Sequence, residues 1–217
     1  MIKENVQRIL KELPGSVELV AAAKERSVAE IKEALEAGVK IIGENYIKEA
    51  QEKFDFLRNK TQWHLIGHLQ KNKVKKAVRI FDMIETLDSL ALAEALDTEC
   101  KKIGKIMSVL IEVNSAQEFQ KQGLLAENVE PFLKQILKYT NLKPMGLMTM
   151  GPWRDNPEEL RPYFKKTKAL FDKIKAGYGK KIEWVYLSMG MSTTYRIAIE
   201  EGANLVRVGT AIFGERL

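Results

Sequence analysis

A lysine at the end of a short apolar run could form a covalent bond with a ligand. Lys24 closes the stretch AAAK, after Val20 and Ala22. Side chains alternate along a strand, so these three are expected to share one face, and Ala22 leaves space beneath the amine. Burial would favour the neutral amine, which forms a Schiff base with an aldehyde. A lysine that merely begins a loop and points into water is the alternative.

Two glycine-rich segments near the end of the sequence could hold an anion. LSMGMSTTY contains Ser188, Gly190 and Ser192, and VRVGTAIFG contains Gly209 and Thr210. Backbone N–H groups in such turns bind phosphate, because glycine lets the backbone approach the anion and hydroxyls add donors. Each segment alone would also suit a helix cap or a tight turn. Two of them in adjacent units at the end of the chain predict a phosphate site.

A reactive lysine and a phosphate site together indicate a phosphorylated aldehyde, and pyridoxal 5′-phosphate (PLP) fits both. Such a cofactor also needs a partner for its pyridine nitrogen, and Arg207 is the candidate, because it can face inward beside the second glycine-rich segment. Arginine stays protonated, so it would leave that nitrogen unprotonated and the ring a weak electron sink. The alternative for Arg207 is an ion pair with a core carboxylate such as Glu44 or Glu112.

The elements that must position these residues repeat one pattern, a short apolar run, a turn and an amphipathic stretch. SVAEIKEALEAG shows it clearly, with Ser27 as the helix cap, Glu30 at the third helical position and Gly38 at the end. Eight units favour a (β/α)8 TIM-type barrel, with an open doubly wound sheet as the alternative. The apolar runs are Val17–Ala23, Val39–Ile42, Gln62–Ile66, Met83–Leu87, Ile106–Val113, Leu142–Met148, Ile182–Leu187 and Asn204–Val208.

A barrel makes a specific demand, since its functional residues lie where the strands end at the C-terminal face. Lys24 follows the first apolar run, Asn45 follows the second, and the glycine-rich segments follow the last two. The sequence therefore predicts one ligand-binding face.

Composition is that of an ordinary soluble protein: 45% of the 217 residues are hydrophobic and 29% are charged. No apolar run approaches the length of a membrane span, and the first residues lack the apolar block of a signal peptide, so we expect a cytoplasmic protein. The single cysteine, Cys100, excludes an internal disulfide and is expected to be buried. The net charge of +6 suits a lysine-rich surface. The sequence lacks the pattern of aromatic residues among basic ones that indicates RNA binding.

Two further patterns in the sequence have simple explanations. The stretch Lys71–Arg79 carries five basic residues and no acid. A solvated helix face is the favoured interpretation, and a surface for an anionic partner is the alternative. His64 and His68 have the i, i+4 spacing of metal ligands on a helix, but no cysteine or acidic cluster completes a set, so no metal site is predicted.

Seven motifs follow one another in the order in which they occur in one known protein family. They are AAAK, GENY, HLIGHLQKNK, VN with KQG, GLMTM, LSMGMS and VRVGTAIFG. On these motifs the chain from about Val17 to Gly214 resembles the pyridoxal phosphate homeostasis protein family, relatives of the alanine racemase N-terminal barrel. The resemblance implies that PLP forms a Schiff base with Lys24. The cofactor-binding residues that it implies are Lys24, Asn45, His64, Ser188, Met189, Gly190, Ser192, Arg207, Gly209 and Thr210.

The resemblance also implies a function without substantial catalytic turnover. It implies one PLP-binding barrel domain over residues 1–217, with no catalytic residue, that keeps PLP balanced and deliverable to client apo-enzymes. Racemases of this barrel type carry a second domain, which the sequence up to Leu217 does not include. A monomer without membrane association is expected. The alternatives are a PLP-dependent amino-acid racemase, a Schiff-base aldolase acting on a sugar phosphate, and a nucleic-acid-binding module that uses the basic stretch.

One departure from the family pattern concerns the loop after LSMGMS. The family usually has an aspartate there, where this sequence has Thr193 and Thr194. That aspartate is expected to cap a helix or brace the loop, so phosphate binding should survive its replacement.

Overall fold

The structure, a computed structural model, describes residues 1–57, 60–118 and 122–215, so Lys121 of the KQG motif lies outside the described residues. Eight parallel strands close into a barrel in chain order, with β1 paired to both β2 and β8. The strands are β1 (Glu18–Ala22), β2 (Ile41–Glu44), β3 (Gln62–Leu65), β4 (Met83–Leu87), β5 (Met107–Glu112), β6 (Leu142–Met148), β7 (Tyr186–Ser188) and β8 (Leu205–Val208). The predicted TIM-type barrel is confirmed.

Helices connect the strands and cover the barrel. They are α1 (Ile2–Glu12), α2 (Val28–Glu36), α3 (Ile47–Leu57), α4 (Val74–Ile80), α5 (Leu90–Lys102), α6 (Ala126–Ile136), α7 (Arg161–Tyr178), α8 (Tyr195–Glu200) and α9 (Thr210–Phe213), with 3-10 turns at Lys71–Lys73, Pro157–Leu160 and Gly179–Lys181. The predicted capping box of α2 is present, since the Ser27 hydroxyl accepts from the Glu30 amide and the Glu30 carboxylate accepts from the Ser27 amide.

Each predicted apolar run overlaps an observed strand, but the seventh strand begins later than predicted. The run Ile182–Leu187 becomes strand only from Tyr186. Its first half holds Trp184, whose ring stacks on Phe171 at a centroid distance of 5.8 Å and whose indole N–H donates to the Phe171 carbonyl. Anchoring this large aromatic side chain on α7 therefore takes precedence over extending the strand.

Alternation along the strands divides the apolar side chains into two cores. The inner core fills the barrel with one or two residues from most strands, whereas the larger outer core lies between the strands and the helices. Val20 and Ala22 of β1 point inward, as predicted, while Ala21 and Ala23 point to the outer core. The buried residues of the inner core are Val20, Ile41, Ile66, Met83, Leu110, Met145, Met148 and Leu205.

Two minor predictions can be compared with the fold. Cys100 is fully buried, as predicted. Lys71, Lys75 and Arg79 are exposed, and two of them share a shallow cavity with Glu94 and Glu99 of α5, so neighbouring acids offset part of the positive charge. No helix within the described ranges is long and apolar enough to cross a membrane.

Candidate functional site

Lys24 lies at the mouth of the barrel, the end at which the strands reach their C-termini. It follows the last residue of β1 by two positions, and 23% of its side chain is exposed. Its Nζ lies 5.2 Å from the centroid of the Tyr46 ring and 3.7 Å from Oε1 of Glu25. The side chain is therefore partly buried, and its amine lies between the enclosed position and the water-facing position that the sequence left open.

The turn after Lys24 is held by helix α3. Glu25 has a φ of +61°, in the left-handed region that costs a non-glycine residue roughly 1–2 kcal/mol. Its amide donates to Oε2 of Glu49 at 2.7 Å, and Nζ of Lys53 donates to the carbonyl of Ala23 at 3.0 Å. These contacts lie on both sides of Lys24, so α3 fixes the backbone from which the reactive amine projects.

Lys53 also pairs with a buried carboxylate of β2. Its Nζ lies 2.7 Å from Oε1 of Glu44 and 3.4 Å from Oε2 of Glu49. Burial raises the pKa of Glu44 to about 7, although the Lys53 charge acts in the opposite direction. An ion pair between Glu44 and Arg207 was one alternative, and it is wrong because alternation along β2 directs Gly43 inward and Glu44 outward toward α3.

The two glycine-rich segments meet at the mouth, as predicted. Oγ of Ser192 accepts hydrogen bonds from the Gly209 amide at 3.1 Å and the Ala211 amide at 3.2 Å. A Cβ on Gly209 would lie 3.3 Å from the carbonyl oxygen of Ala22, so the turn after β8 packs against the end of β1. Ser192 is half-buried and Thr210 is exposed. We call Lys24, Ser192, Gly209 and Thr210 the mouth set.

Met189 and Gly190 support this loop from behind and do not face the mouth. Met189 is fully buried in the outer core. Gly190 has a φ of +94°, and a Cβ there would lie 2.6 Å from the Cβ of Ala198 in α8, so only glycine fits this close packing. Oγ1 of Thr194 accepts from the Met191 amide at 2.9 Å, which is the loop-bracing contact expected where the family aspartate is replaced.

A hydrogen-bonded chain of buried polar groups crosses the barrel below the mouth. Nδ1 of His64 lies 2.8 Å from Oε1 of Glu85, and the Ser188 hydroxyl donates to Oε2 of Glu85 at 2.6 Å. Arg207 donates from Nη1 to Oγ of Ser188 at 2.5 Å and from Nη2 to the Thr149 carbonyl at 2.9 Å. We call His64, Glu85, Ser188 and Arg207 the interior network.

The interior network holds opposite charges out of water. Burial acts to raise the pKa of Glu85, but its contacts with His64, Arg207 and Ser188 keep that pKa below its ordinary value. Burial lowers the pKa of Arg207, opposed by Glu85 and Glu112, and an arginine remains a cation in proteins. Nη1 of Arg207 lies 3.9 Å from Oε2 of Glu85. The carboxylate partner of Arg207 is therefore Glu85, on the strand across the barrel.

This arrangement corrects two expectations about the ligand-facing residues. Ser188 was expected to bind phosphate, but its side chain is fully buried and its hydroxyl is shared between Glu85 and Arg207. His64 was expected beside the cofactor ring, but it is buried on β3 and lines a cavity at the N-terminal end of the barrel. Asn45, by contrast, is half-buried and lines a cavity at the mouth.

Sequence reasoning missed Glu85, which lies at the centre of the interior network. It stands within the run MIETL, at the position that alternates with inward-facing Met83. A carboxylate at an inward position of a buried strand needs a charged partner, and that signal could have paired Glu85 with Arg207. The two histidines lie on β3 and in the loop after it, and the described residues contain no group of three metal-ligating side chains.

Comparisons with known proteins identify the family. The family model of the alanine racemase N-terminal domain matches residues 1–217. The pyridoxal phosphate homeostasis protein of Aquifex aeolicus is 37% identical over 98% of this chain and 97% of its own length, and that of Mus musculus is 34% identical over 99% and 83%.

Solved structures agree with these matches. PipY of Synechococcus elongatus, solved with PLP bound, is 32% identical with a TM-score of 0.90 over 99% of this chain and 100% of its own. An alanine racemase of Clostridium difficile is 17% identical with a TM-score of 0.79 over 56% of its own chain, a likeness of fold alone. By sequence and by fold, the chain belongs to the alanine racemase N-terminal domain family, among the pyridoxal phosphate homeostasis proteins.

Proposed function

We propose that this protein binds PLP through a Schiff base on Lys24 and serves PLP homeostasis without substantial catalytic turnover. The observation that carries the proposal is the geometry of the mouth, where an accessible amine follows β1 and the turn at Gly209 packs against the end of that strand. Bound PLP supplies an electrophilic aldehyde, and the amine bonds to its carbon with loss of one water. The PLP-bound structure of PipY supports the same ligand.

The phosphate of PLP fits the loops that Ser192 joins. The Ser192 hydroxyl already accepts from two amides of the β8 turn, so it can donate its proton to an anion placed beside it. Thr210 adds an exposed hydroxyl next to Gly209. We therefore propose that Ser192, Gly209 and Thr210 bind the phosphate, whereas Ser188 belongs to the interior network.

Arg207 limits what the bound cofactor can do. Its guanidinium is fixed by Ser188 and Thr149 inside the barrel below the mouth. If the pyridine nitrogen of bound PLP reaches this floor of the mouth, the permanently charged guanidinium leaves that nitrogen unprotonated, which weakens carbanion stabilisation by the ring. Binding by one hydrolysable bond and one phosphate contact suits a carrier.

The carrier role has consequences for partners. We propose a single domain over residues 1–217 that works as a cytoplasmic monomer and delivers PLP to client apo-enzymes. Names of relatives from a bacterium and a mouse refer to PLP homeostasis, which supports this role.

Borohydride reduction tests the covalent site directly. The purified protein is loaded with PLP, its visible absorption is recorded, and it is then reduced with borohydride and digested for peptide mass analysis. The expected result is a pyridoxyl group on the peptide that contains Lys24. An adduct that is equally frequent on Lys53 or on surface lysines would contradict the proposal.

The alternative of an amino-acid racemase calls for a separate measurement. Racemisation requires acid–base groups on both faces of the substrate carbon. The PLP-loaded protein is incubated with L-alanine in deuterated water, and exchange of the α-proton and chirality are followed by NMR. The proposal predicts negligible exchange, and turnover at about 1 s⁻¹ or faster, the low end of ordinary enzymes, would favour the racemase.

A further inference from the structure

The cavity at the mouth that Asn45 lines is bordered by residues at and after the ends of β2 to β6. Its volume is about 290 Å³, enough for a small organic molecule. Its lining includes Asn45, Ile66, Thr86, Glu112, Asn114 and Met150, and it does not include Lys24 or Ser192. The cavity therefore adjoins the proposed PLP site, because Asn45 lines it and the carbonyl of Thr149 in its wall accepts from Arg207.

Several of the polar side chains of this cavity are already hydrogen bonded to the protein. Oγ1 of Thr86 donates to the Gly67 carbonyl at 2.8 Å. Oγ of Ser115 lies 3.0 Å from Oγ1 of Thr149, and Nδ2 of Asn114 donates to the Glu118 carbonyl at 2.8 Å. Because these side chains already have partners in the protein, they define the shape of the cavity and offer a ligand few free donors or acceptors.

Glu112 is different, because it is only 6% exposed and its Oε2 has no hydrogen-bond partner among the described residues. A buried oxygen without a partner costs roughly 1–3 kcal/mol, more when it carries charge. Among the described charged groups, Asp88 acts on Glu112 unfavourably and Arg207 favourably, and His68 also lines the cavity. Burial and Asp88 raise the pKa of Glu112 to about 7, against the effect of Arg207.

The ligand chemistry follows from these surroundings. A single carboxylate in a cavity that also contains Ile66, Val113 and Met150 suits a cation with a short apolar part. A metal ion would need further ligands, and the described part of the chain holds no group of three His, Cys, Asp or Glu side chains arranged to bind one. An ammonium group supplies N–H donors and a positive charge from one small group.

We propose that this cavity binds a small primary amine, whose ammonium group donates to Glu112 and whose carbon chain lies against Ile66 and Val113. The site adjoins the proposed PLP site, and its ligand goes beyond the proposed function. Because it depends on Glu112 and on neither Lys24 nor Ser192, the amine binds in the absence of the cofactor.

The experiment uses protein without PLP and n-propylammonium chloride as the probe, at constant ionic strength. Binding is followed by ¹H–¹⁵N correlation spectra, with the amides of Gly67, Asn114 and Gly151 as reporters. The expected result is millimolar affinity with shifts at these amides, and 1-propanol, which lacks the charge, should bind much more weakly. Shifts from 1-propanol as large as those from the amine, or none from the amine, would overturn the proposal.

Two variants and a pH series complete the test. Glu112→Gln keeps the shape of the side chain and should weaken amine binding at least tenfold, whereas Glu127→Gln on the exposed start of α6 should have no effect. In the wild-type protein the affinity should rise about tenfold between pH 6 and pH 8, because a carboxyl with a pKa of about 7 ionises across that interval. A flat pH profile would overturn the proposal even if the Glu112→Gln variant failed to fold.

Discussion

The mouth set and the interior network come from the same short segments of the chain but meet different environments. LSMGMS supplies Ser188 to the interior and Ser192 to the mouth, and VRVGT supplies Arg207 to the interior and Gly209 to the mouth. Two to four residues further along the chain move a group from the buried interior network to a surface that a ligand can reach. The depth of a residue along its strand therefore determines whether it supports the site or contacts the ligand.

The largest expected effect is loss of the covalent adduct in Lys24→Ala. The reducible PLP adduct should disappear, while the unfolding midpoint should hardly change, since the amine contacts only a partly exposed glutamate and an exposed ring. Borohydride labelling and urea unfolding measure the two quantities. Lys48→Ala, at an exposed position of α3, is the matched control and should keep the adduct. If the variant is labelled at another lysine with undiminished occupancy, Lys24 is not the residue that carries PLP.

The next largest effect concerns the interior network, in Arg207→Met. This change leaves the Glu85 carboxylate buried without its cation, which should lower the free energy of unfolding by about 3–5 kcal/mol. Urea unfolding measures it. Arg161→Met is the control, because Arg161 contacts Glu158, Glu200 and Glu201 at the surface and should have a much smaller effect. Similar losses of unfolding free energy for the two variants would mean that the buried ion pair of the interior network stabilises the fold no more than the surface ion pairs of Arg161.

These contrasts show what could be predicted from the sequence. The barrel, its strands and the meeting of the two glycine-rich segments followed from apolar periodicity and turn residues, which are local properties of the chain. The accessible position of Lys24 did not follow, because it depends on the left-handed turn at Glu25 and on contacts from α3. Such contacts join residues that are far apart in sequence, and periodicity carries no information about them.

The interior network was predicted incompletely for a similar reason. Arg207 was expected to face inward and does, but its partner is Glu85, and the spacing of the two residues in sequence gives no indication of the pair. Ser188 was assigned to the ligand from its glycine-rich segment at a strand end, and His64 from the family resemblance. Their depth depends on the stagger of the strands around the barrel, which the sequence pattern does not specify.

A smaller effect is expected from pH, through the contrast between Glu85 and Glu112. Glu85 has partners and a lowered pKa, whereas Glu112 has a pKa raised from 4.5 to about 7. A carboxyl whose pKa is higher in the folded state favours folding below the unfolded value, and this contribution is lost as the pH rises from about 4.5 to 7. It amounts to at most roughly 3 kcal/mol. The wild-type protein should therefore lose more stability than Glu112→Gln between pH 5 and pH 8.

Urea unfolding of both proteins at the two pH values measures this difference. Glu44, whose pKa is also raised to about 7, contributes equally to both proteins and cancels in the comparison. Glu85 and the other carboxyls with lowered pKa values lose their contribution only below about pH 4.5, outside this interval. Parallel pH profiles for wild type and variant would show that Glu112 ionises normally.

The smallest expected effect, and the sharpest test of the division between mouth and interior, compares two serines four residues apart. Ser192→Ala removes a hydroxyl that can donate to phosphate, a charge-assisted bond worth about 1.5–3 kcal/mol, so PLP affinity should fall about tenfold or more while affinity for unphosphorylated pyridoxal stays unchanged. Adding Thr210→Val to Ser192→Ala should enlarge the difference between the affinities for PLP and for pyridoxal.

Ser188→Ala should lower the free energy of unfolding by about 1–3 kcal/mol, because Glu85 and Arg207 lose a shared partner. It should change the affinities for PLP and pyridoxal by the same factor. Visible titration gives both affinities for each variant. If Ser188→Ala discriminated between the two ligands more strongly than Ser192→Ala, the phosphate would lie below the mouth and the two groups of residues would form one site.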